Sequence, residues 1–190
     1  MKHLILGSIL LAAGAAIVAL AIAPDAKGGV ASPADLVARG RYIVESFGCV
    51  DCHTPHVLGP NGPEPDRTRH LSGHPADMQL PPAPALPPGP WIASIAASMT
   101  AWSGPWGTSF TANLTPDVET GLGAWTPEDF IATLKTGRHM GRGREILPPM
   151  PITMIRNMTE DDMRAMFAYL RSLPAVKNRV PDPLPPVEAR

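Results

Sequence analysis

Apolar residues along this chain follow three regimes. The first is an uncharged run from Leu4 to Ala23, LILGSILLAAGAAIVALAIA, with Lys2 on its amino side. A membrane-spanning helix needs about 20 such residues, whereas the apolar core of a cleaved export signal is shorter, roughly 7–15. The length fits an N-terminal hydrophobic helix retained as a signal anchor. The weakly hydrophobic Ala and Gly content, and the Ala19-Leu20-Ala21 triplet, fit a cleaved signal peptide instead. Residues 1–23 are read as one or the other, and both place the rest of the chain outside the cytoplasm. Residues 24–31, PDAKGGVA, form a short linker.

The second regime is helical spacing. Ser32-Pro33 supplies a cap and a first-turn proline, and Leu36, Ile43, Val44 and Phe47 follow on one face until Gly48. Gly40 interrupts this helix at a cost of about 1 kcal/mol against Ala, which close approach by another helix would offset. A second helix opens at Thr126-Pro127-Glu128-Asp129, carries Phe130, Ile131 and Leu134, and stops at Gly137. The last has Thr159 as cap, three acids in its first turn, and the stripe Met163, Met166, Phe167 and Leu170, ending before Pro174.

The third regime has no period. Eleven prolines lie between Pro55 and Pro90, so residues 57–110 read as a Pro-rich insert loop in which WIASIAASM (91–99) could form a short helix. NLTPDVETGLGAW (113–125) is a turn-rich loop, GREILPPMP (143–151) an extended segment, and residues 177–190 an extended Pro-rich tail. No strand-like alternation of any length is visible. The expected architecture is all-α: one domain over 32–176, interrupted by the insert.

Composition changes this picture in two ways. A formal net charge of -1 predicts no strong pull toward nucleic acid or an anionic membrane surface. Aromatic residues make up 5% of the chain against 24 prolines, so something other than aromatic rings fills the centre. A cofactor would do so, and Pro-rich loops account for the same composition.

The two cysteines of the chain, Cys49 and Cys52, stand in FGCVDCHT with His53 immediately after. A structural zinc site needs two further ligands, but His56, His70 and His74 are scattered through the insert. A redox dithiol expects a βαβ setting that is missing, and a disulfide across so short a loop adds little stability and leaves His53 without a purpose. C-x-x-C-H for covalent haem attachment uses all three residues. The two thiols, three residues apart, project from one side of a helical turn toward the haem vinyl groups, and His53 reaches the iron. One covalent haem c is therefore expected. Export agrees, because haem is attached covalently outside the bacterial cytoplasm.

A six-coordinate haem needs a second axial ligand, and Met raises the reduction potential where His lowers it. Among nine methionines, Met163 and Met166 belong to the last helix's stripe. Met150 stands in PPMP, where flanking prolines restrict the backbone and hold the side chain ready. Met154 is the reserve, and His70 or His74 the remaining alternative.

With these pieces placed, the chain resembles the class I c-type cytochromes, and within them the haem domains of bacterial membrane-bound dehydrogenase cytochrome c subunits. The residues that carry the resemblance are RGRYIVESFGCVDCHTP, NLTPDVETGLGAW and PPMPITMIRNMTEDDMRAMFAYLRSLP. It implies a helical domain around the haem, with Gly40 meeting Tyr169 where the terminal helices cross and Met150 as sixth ligand. It also implies Asn113, Thr115 and Trp125 beside the haem. The insert is longer than a minimal haem domain needs, and one C-x-x-C-H stands where related chains often carry two or three.

A haem with both axial positions filled suits outer-sphere electron transfer rather than substrate chemistry, so a carrier and not an enzyme is expected. Its partners would be redox proteins: a dehydrogenase, an oxidase, a reaction centre or another cytochrome. Lys135, Arg138, Arg142, Arg144 and Arg156, against Glu145 alone, form a candidate docking patch for an acidic partner. These charges could equally neutralise haem propionates or be solvated. The alternatives are a fixed haem subunit of a membrane-associated dehydrogenase or other respiratory or photosynthetic complex and, further off, a haem sensor or peroxidase-like enzyme. The expected location is the periplasmic side, anchored by the N-terminal helix or soluble after cleavage.

Overall fold

The structure, a computed structural model, describes residues 32–186. The hydrophobic run, the linker and the end of the tail lie outside the described residues. Among the described residues, no helix is long and apolar enough to cross a membrane.

Three helices build the core. Helix α1 (Pro33–Ser46) starts at a capping box: the Ser32 hydroxyl accepts from the Asp35 N–H at 3.2 Å, and the Asp35 carboxylate accepts from the Ser32 N–H at 3.3 Å. After α1, Gly48 adopts φ +70° and turns the chain into α2 (Cys49–His53), a single turn bearing the cysteine motif. Helix α3 (Pro127–Thr136) begins at the same kind of box, Thr126 with Asp129, and ends at Gly137 with φ +73°. A short α4 (Ile152–Ile155) precedes α5 (Glu160–Ser172), which Thr159 caps and three first-turn acids favour.

Helices α1 and α5 pack across one another as the main contact of the fold, and α3 packs on α5. Ile43 and Val44 of α1, Phe130, Ile131 and Leu134 of α3, and Met163, Met166, Phe167 and Leu170 of α5 are all buried in one cluster. Burial of each such side chain contributes about 1.5–3 kcal/mol. Gly40 lies at the crossing, where an added Cβ would collide with the Ala165 carbonyl and stand 2.9 Å from the Tyr169 Cβ. The neighbour implied for Gly40 is therefore present, with Ala165 closer still.

The all-α expectation is corrected in the insert. Among the described residues it holds five short strands: a hairpin of β1 (His56–Gly59) with β2 (Gly62–Pro65), and an antiparallel sheet β3 (Ser94–Ile95), β4 (Ala101–Gly104), β5 (Gly107–Phe110) in that order. Two of the turns read G-P-x-G: Gly59 pairs with Gly62 across Pro60-Asn61, and Gly104 with Gly107 across Pro105-Trp106. Gly62 and Gly107 supply positive φ at +114° and +96°. The segment 91–99 is not a helix: Ile95 pairs with Trp102, and the chain turns through Met99 at φ +60°.

The tail is also more than an extended end. Leu184 exchanges both backbone hydrogen bonds with Thr108 of β5 at 2.9 Å, and the Asn178 side chain donates to the Ser72 and His74 carbonyls at 2.7 and 2.9 Å.

Candidate functional site

A cavity of about 360 Å³ opens between α1, α2, α3, α5, the 139–151 loop and the tail. Val44, Leu122, Phe130, Leu134, Ile155 and Leu170 make its wall largely apolar. Cys49, Cys52, His53 and Met150 all line it. His53 and Met150, distant in sequence, meet one space because α2 follows directly on α1 while Met150 lies in the loop that leads into α4 and α5.

His53 is buried, and its Nδ1 lies 2.8 Å from the Ala112 carbonyl oxygen. The carbonyl can only accept, so Nδ1 carries the proton and Nε2 is left as a lone-pair donor. Burial pushes the His53 pKa below its ordinary value, which keeps the ring neutral, the form that binds a metal. Cys49 and Cys52 form no disulfide. Desolvation raises both thiols, Cys49 to about 11, so the slot favours neutral sulfur, as a thioether would be.

Met150 is half-buried on the cavity wall and packs against the core. Its loop is tied at two points: the Ser109 hydroxyl donates to the Pro148 carbonyl, and the Ile152 N–H donates to the Met150 carbonyl at 2.8 Å. Met154, His70 and His74 do not line the cavity. His74 is buried in the insert, with Nδ1 2.9 Å from the Thr100 hydroxyl and its ring against Phe110.

The three loop residues separate. Trp125 lines the cavity and meets His139 edge-on, with centroids 5.0 Å apart. Asn113 reaches the wall, but its amide donates to the Val176 carbonyl at 2.8 Å and to the Thr120 hydroxyl at 3.2 Å. Thr115 is fully buried away from the cavity and accepts from the Val176 N–H at 3.1 Å, so it latches the tail rather than facing a haem.

Of the basic patch, Arg144 lines the cavity and Arg138, Arg142 and Arg156 are exposed. Lys135 instead donates to the Arg156 and Met158 carbonyls at 3.0 and 2.8 Å, closing the turn before α5. Sequence reading missed His139 and the tail segment Arg179–Pro183, which also line the cavity. Their contacts depend on tertiary folding, and neither carries a local motif.

An apolar cavity with two thiols on one turn, a neutral imidazole with a free Nε2 and a thioether on its wall fits a covalently attached haem. Comparison with known proteins agrees. The chain belongs to the cytochrome c family, whose model, described as "Cytochrome c", matches residues 37–174. It is similar to a nicotinate dehydrogenase subunit of Pseudomonas putida, 30% identical over 161 residues, which cover 84% of this chain and 10% of that protein. It is also similar to the alcohol dehydrogenase (quinone) cytochrome c subunit of Gluconobacter oxydans, 27% identical over 150 residues (77% of this chain, 24% of that protein). The gluconate 2-dehydrogenase cytochrome c subunit of Pantoea cypripedii is 28% identical over 134 residues, 70% of this chain and 22% of that protein. The chain thus spans a quarter or less of these relatives' lengths. It is an electron-transfer protein that carries haem c covalently.

Proposed function

We propose that this chain passes single electrons through one haem c, bound by Cys49 and Cys52 and ligated by His53 and Met150, to or from a redox protein on the periplasmic side of the inner membrane. The observation that carries the reading is the convergence of all four residues on one apolar cavity. When bound, haem supplies a ferric–ferrous couple of one electron.

The chain's own residues set the conditions for that couple. His53 offers Nε2 while its Nδ1–H is held by Ala112. Met150 offers sulfur, which favours the ferrous state and a higher potential. The apolar wall excludes water, so less solvent must reorient when the charge changes. Met150 on the wall also argues against an open sixth position, as a sensor or peroxidase-like enzyme would require; weak carbon monoxide binding to the ferrous protein would agree.

The partner we propose is a dehydrogenase, because the relatives above are named as dehydrogenase subunits. Arg144 on the cavity wall, with the exposed Arg138, Arg142 and Arg156, would present positive charge to an acidic surface, while Lys135 is committed to the fold. A fixed subunit held by the Leu4–Ala23 run is the second reading, favoured by that run's length.

The deciding experiment is the long-wavelength absorption of the ferric protein beside a Met150→Ala variant. A weak sulfur-to-iron band present in the wild type and lost in the variant is expected. Its absence from the wild type would remove Met150 as ligand and bring His139, on the same cavity wall, into consideration.

A further inference from the structure

Leu71–Pro75 is a run of five buried residues in the middle of the insert, with no helix or strand to account for it. Its backbone is wedged between the end of α2 and residues 111–114. The Gly73 N–H donates to the His53 carbonyl at 2.8 Å, and the Leu71 N–H to the Thr54 hydroxyl at 3.0 Å. On the other side, the His74 N–H donates to the Thr111 carbonyl and the Leu114 N–H to the Leu71 carbonyl, both at 2.9 Å. This strap therefore bonds to the His53 backbone and to residues on either side of Ala112.

Gly73 stands against the Ala112 carbonyl itself. A Cβ there would lie 2.7 Å from the Ala112 oxygen and 2.6 Å from its carbon, and would collide with the Thr111 oxygen. Gly73 also has φ +78°, which side chains rarely adopt. Asn178 clamps the strap from outside: its Nδ2 donates to the Ser72 and His74 carbonyls on either side of Gly73, and its Oδ1 accepts from the Ala76 N–H at 2.9 Å.

We propose that Gly73 is a positioning residue for His53: the insert's strap, clamped by Asn178, sets where the Ala112 carbonyl stands, and so how strongly it holds the His53 Nδ1–H. The proposal rests on the reading of His53 as an iron ligand. An imidazole that donates strongly from Nδ1 is more basic at Nε2 and stabilises ferric iron, which lowers the potential. Residues absent from the cavity wall thereby bias the couple.

The test compares the wild-type holoprotein with Gly73→Ala and Asn178→Ala. Two quantities are read: exchange of the His53 Nδ1–H with solvent by proton NMR of the ferrous state, and the midpoint potential. In Gly73→Ala the proton exchanges roughly tenfold faster or more and the potential rises, with the Met150 band retained. Asn178→Ala moves both in the same direction by less. A variant that is merely less stable, with exchange and potential unchanged, overturns the proposal. If Gly73→Ala yields no folded holoprotein, Asn178→Ala decides alone, and unchanged readings there overturn it. Failure of the underlying reading looks different: the wild-type His53 ring protons would then lack the shifts of a haem ligand before any variant is made.

Discussion

Gly40 and Tyr169 touch where the first and last helices cross, their backbones so close that a Cβ on Gly40 would stand 2.9 Å from the Tyr169 Cβ. On helix propensity alone, Gly40→Ala would stabilise α1 by about 1 kcal/mol. The clash with the Ala165 carbonyl is backbone and cannot rotate away. The helices must separate, so a net loss of about 3 kcal/mol is expected, measured by denaturant unfolding of the holoprotein.

Met150→His should keep six-coordination while exchanging sulfur for imidazole. A fall in midpoint potential on the order of 0.1–0.3 V is expected, within the roughly 0.8 V span that axial ligands command. Redox titration checks it. An unchanged potential would place the sixth ligand elsewhere.

Asn113→Ala should free the tail rather than alter the haem spectrum. Its amide donates to the Val176 carbonyl, and its oxygen accepts from the Thr115 N–H at 3.0 Å. Loss of these partners in a buried setting costs about 1–3 kcal/mol. Limited proteolysis is expected to cut the tail after Val176 faster in the variant, with absorption bands unmoved.

His74 gives the protein a pH dependence. Burial lowers its pKa from the ordinary 6.5, so the unfolded chain takes up this proton at a higher pH than the folded one. Stability linked to His74 is therefore full above about pH 6.5 and is lost as pH falls toward the folded value. The groups packed on it, Thr100 and Phe110, are uncharged and supply no counter-ion. Between pH 7 and 5 the melting temperature of His74→Gln should fall less than that of the wild type.

Helices α1, α3 and α5 were legible because their signals are local, whereas the single turn α4 has no capping side chain and was not read. Ser32-Pro33 and Thr126-Pro127 announce helix starts with a cap and a first-turn proline, and the α5 stripe keeps its period throughout. The strands were not, for a reason visible in their residues. The buried positions of β5 are Gly107 and Ser109, and β2 holds Pro63 and Pro65, so no apolar alternation exists to be seen. The paired G-P-N-G and G-P-W-G turns were the available sign. At the site, Cys49, Cys52 and His53 share one turn and could be read together, and Met150 stood out by its flanking prolines. Arg179–Pro183 could not be read, because the segment is extended and is held beside the cavity only from its flanks, by the Asn178 side chain and the Leu184 backbone, which leaves no periodic trace.

The tail that walls the cavity also imposes an order of construction. Asn178 bonds to Ser72 across 106 positions of sequence, and Leu184 pairs with Thr108 although α3, α4 and α5 all lie between them in the chain. Contacts of such separation form late, since the entropy of closing a long loop is lost before they return anything. The two thiols on α2 are local to the first helix and need none of this. Haem can thus be joined to an open crevice and enclosed afterwards, so a chain stopped before Lys177 is expected to acquire haem yet leave it reachable by small reductants.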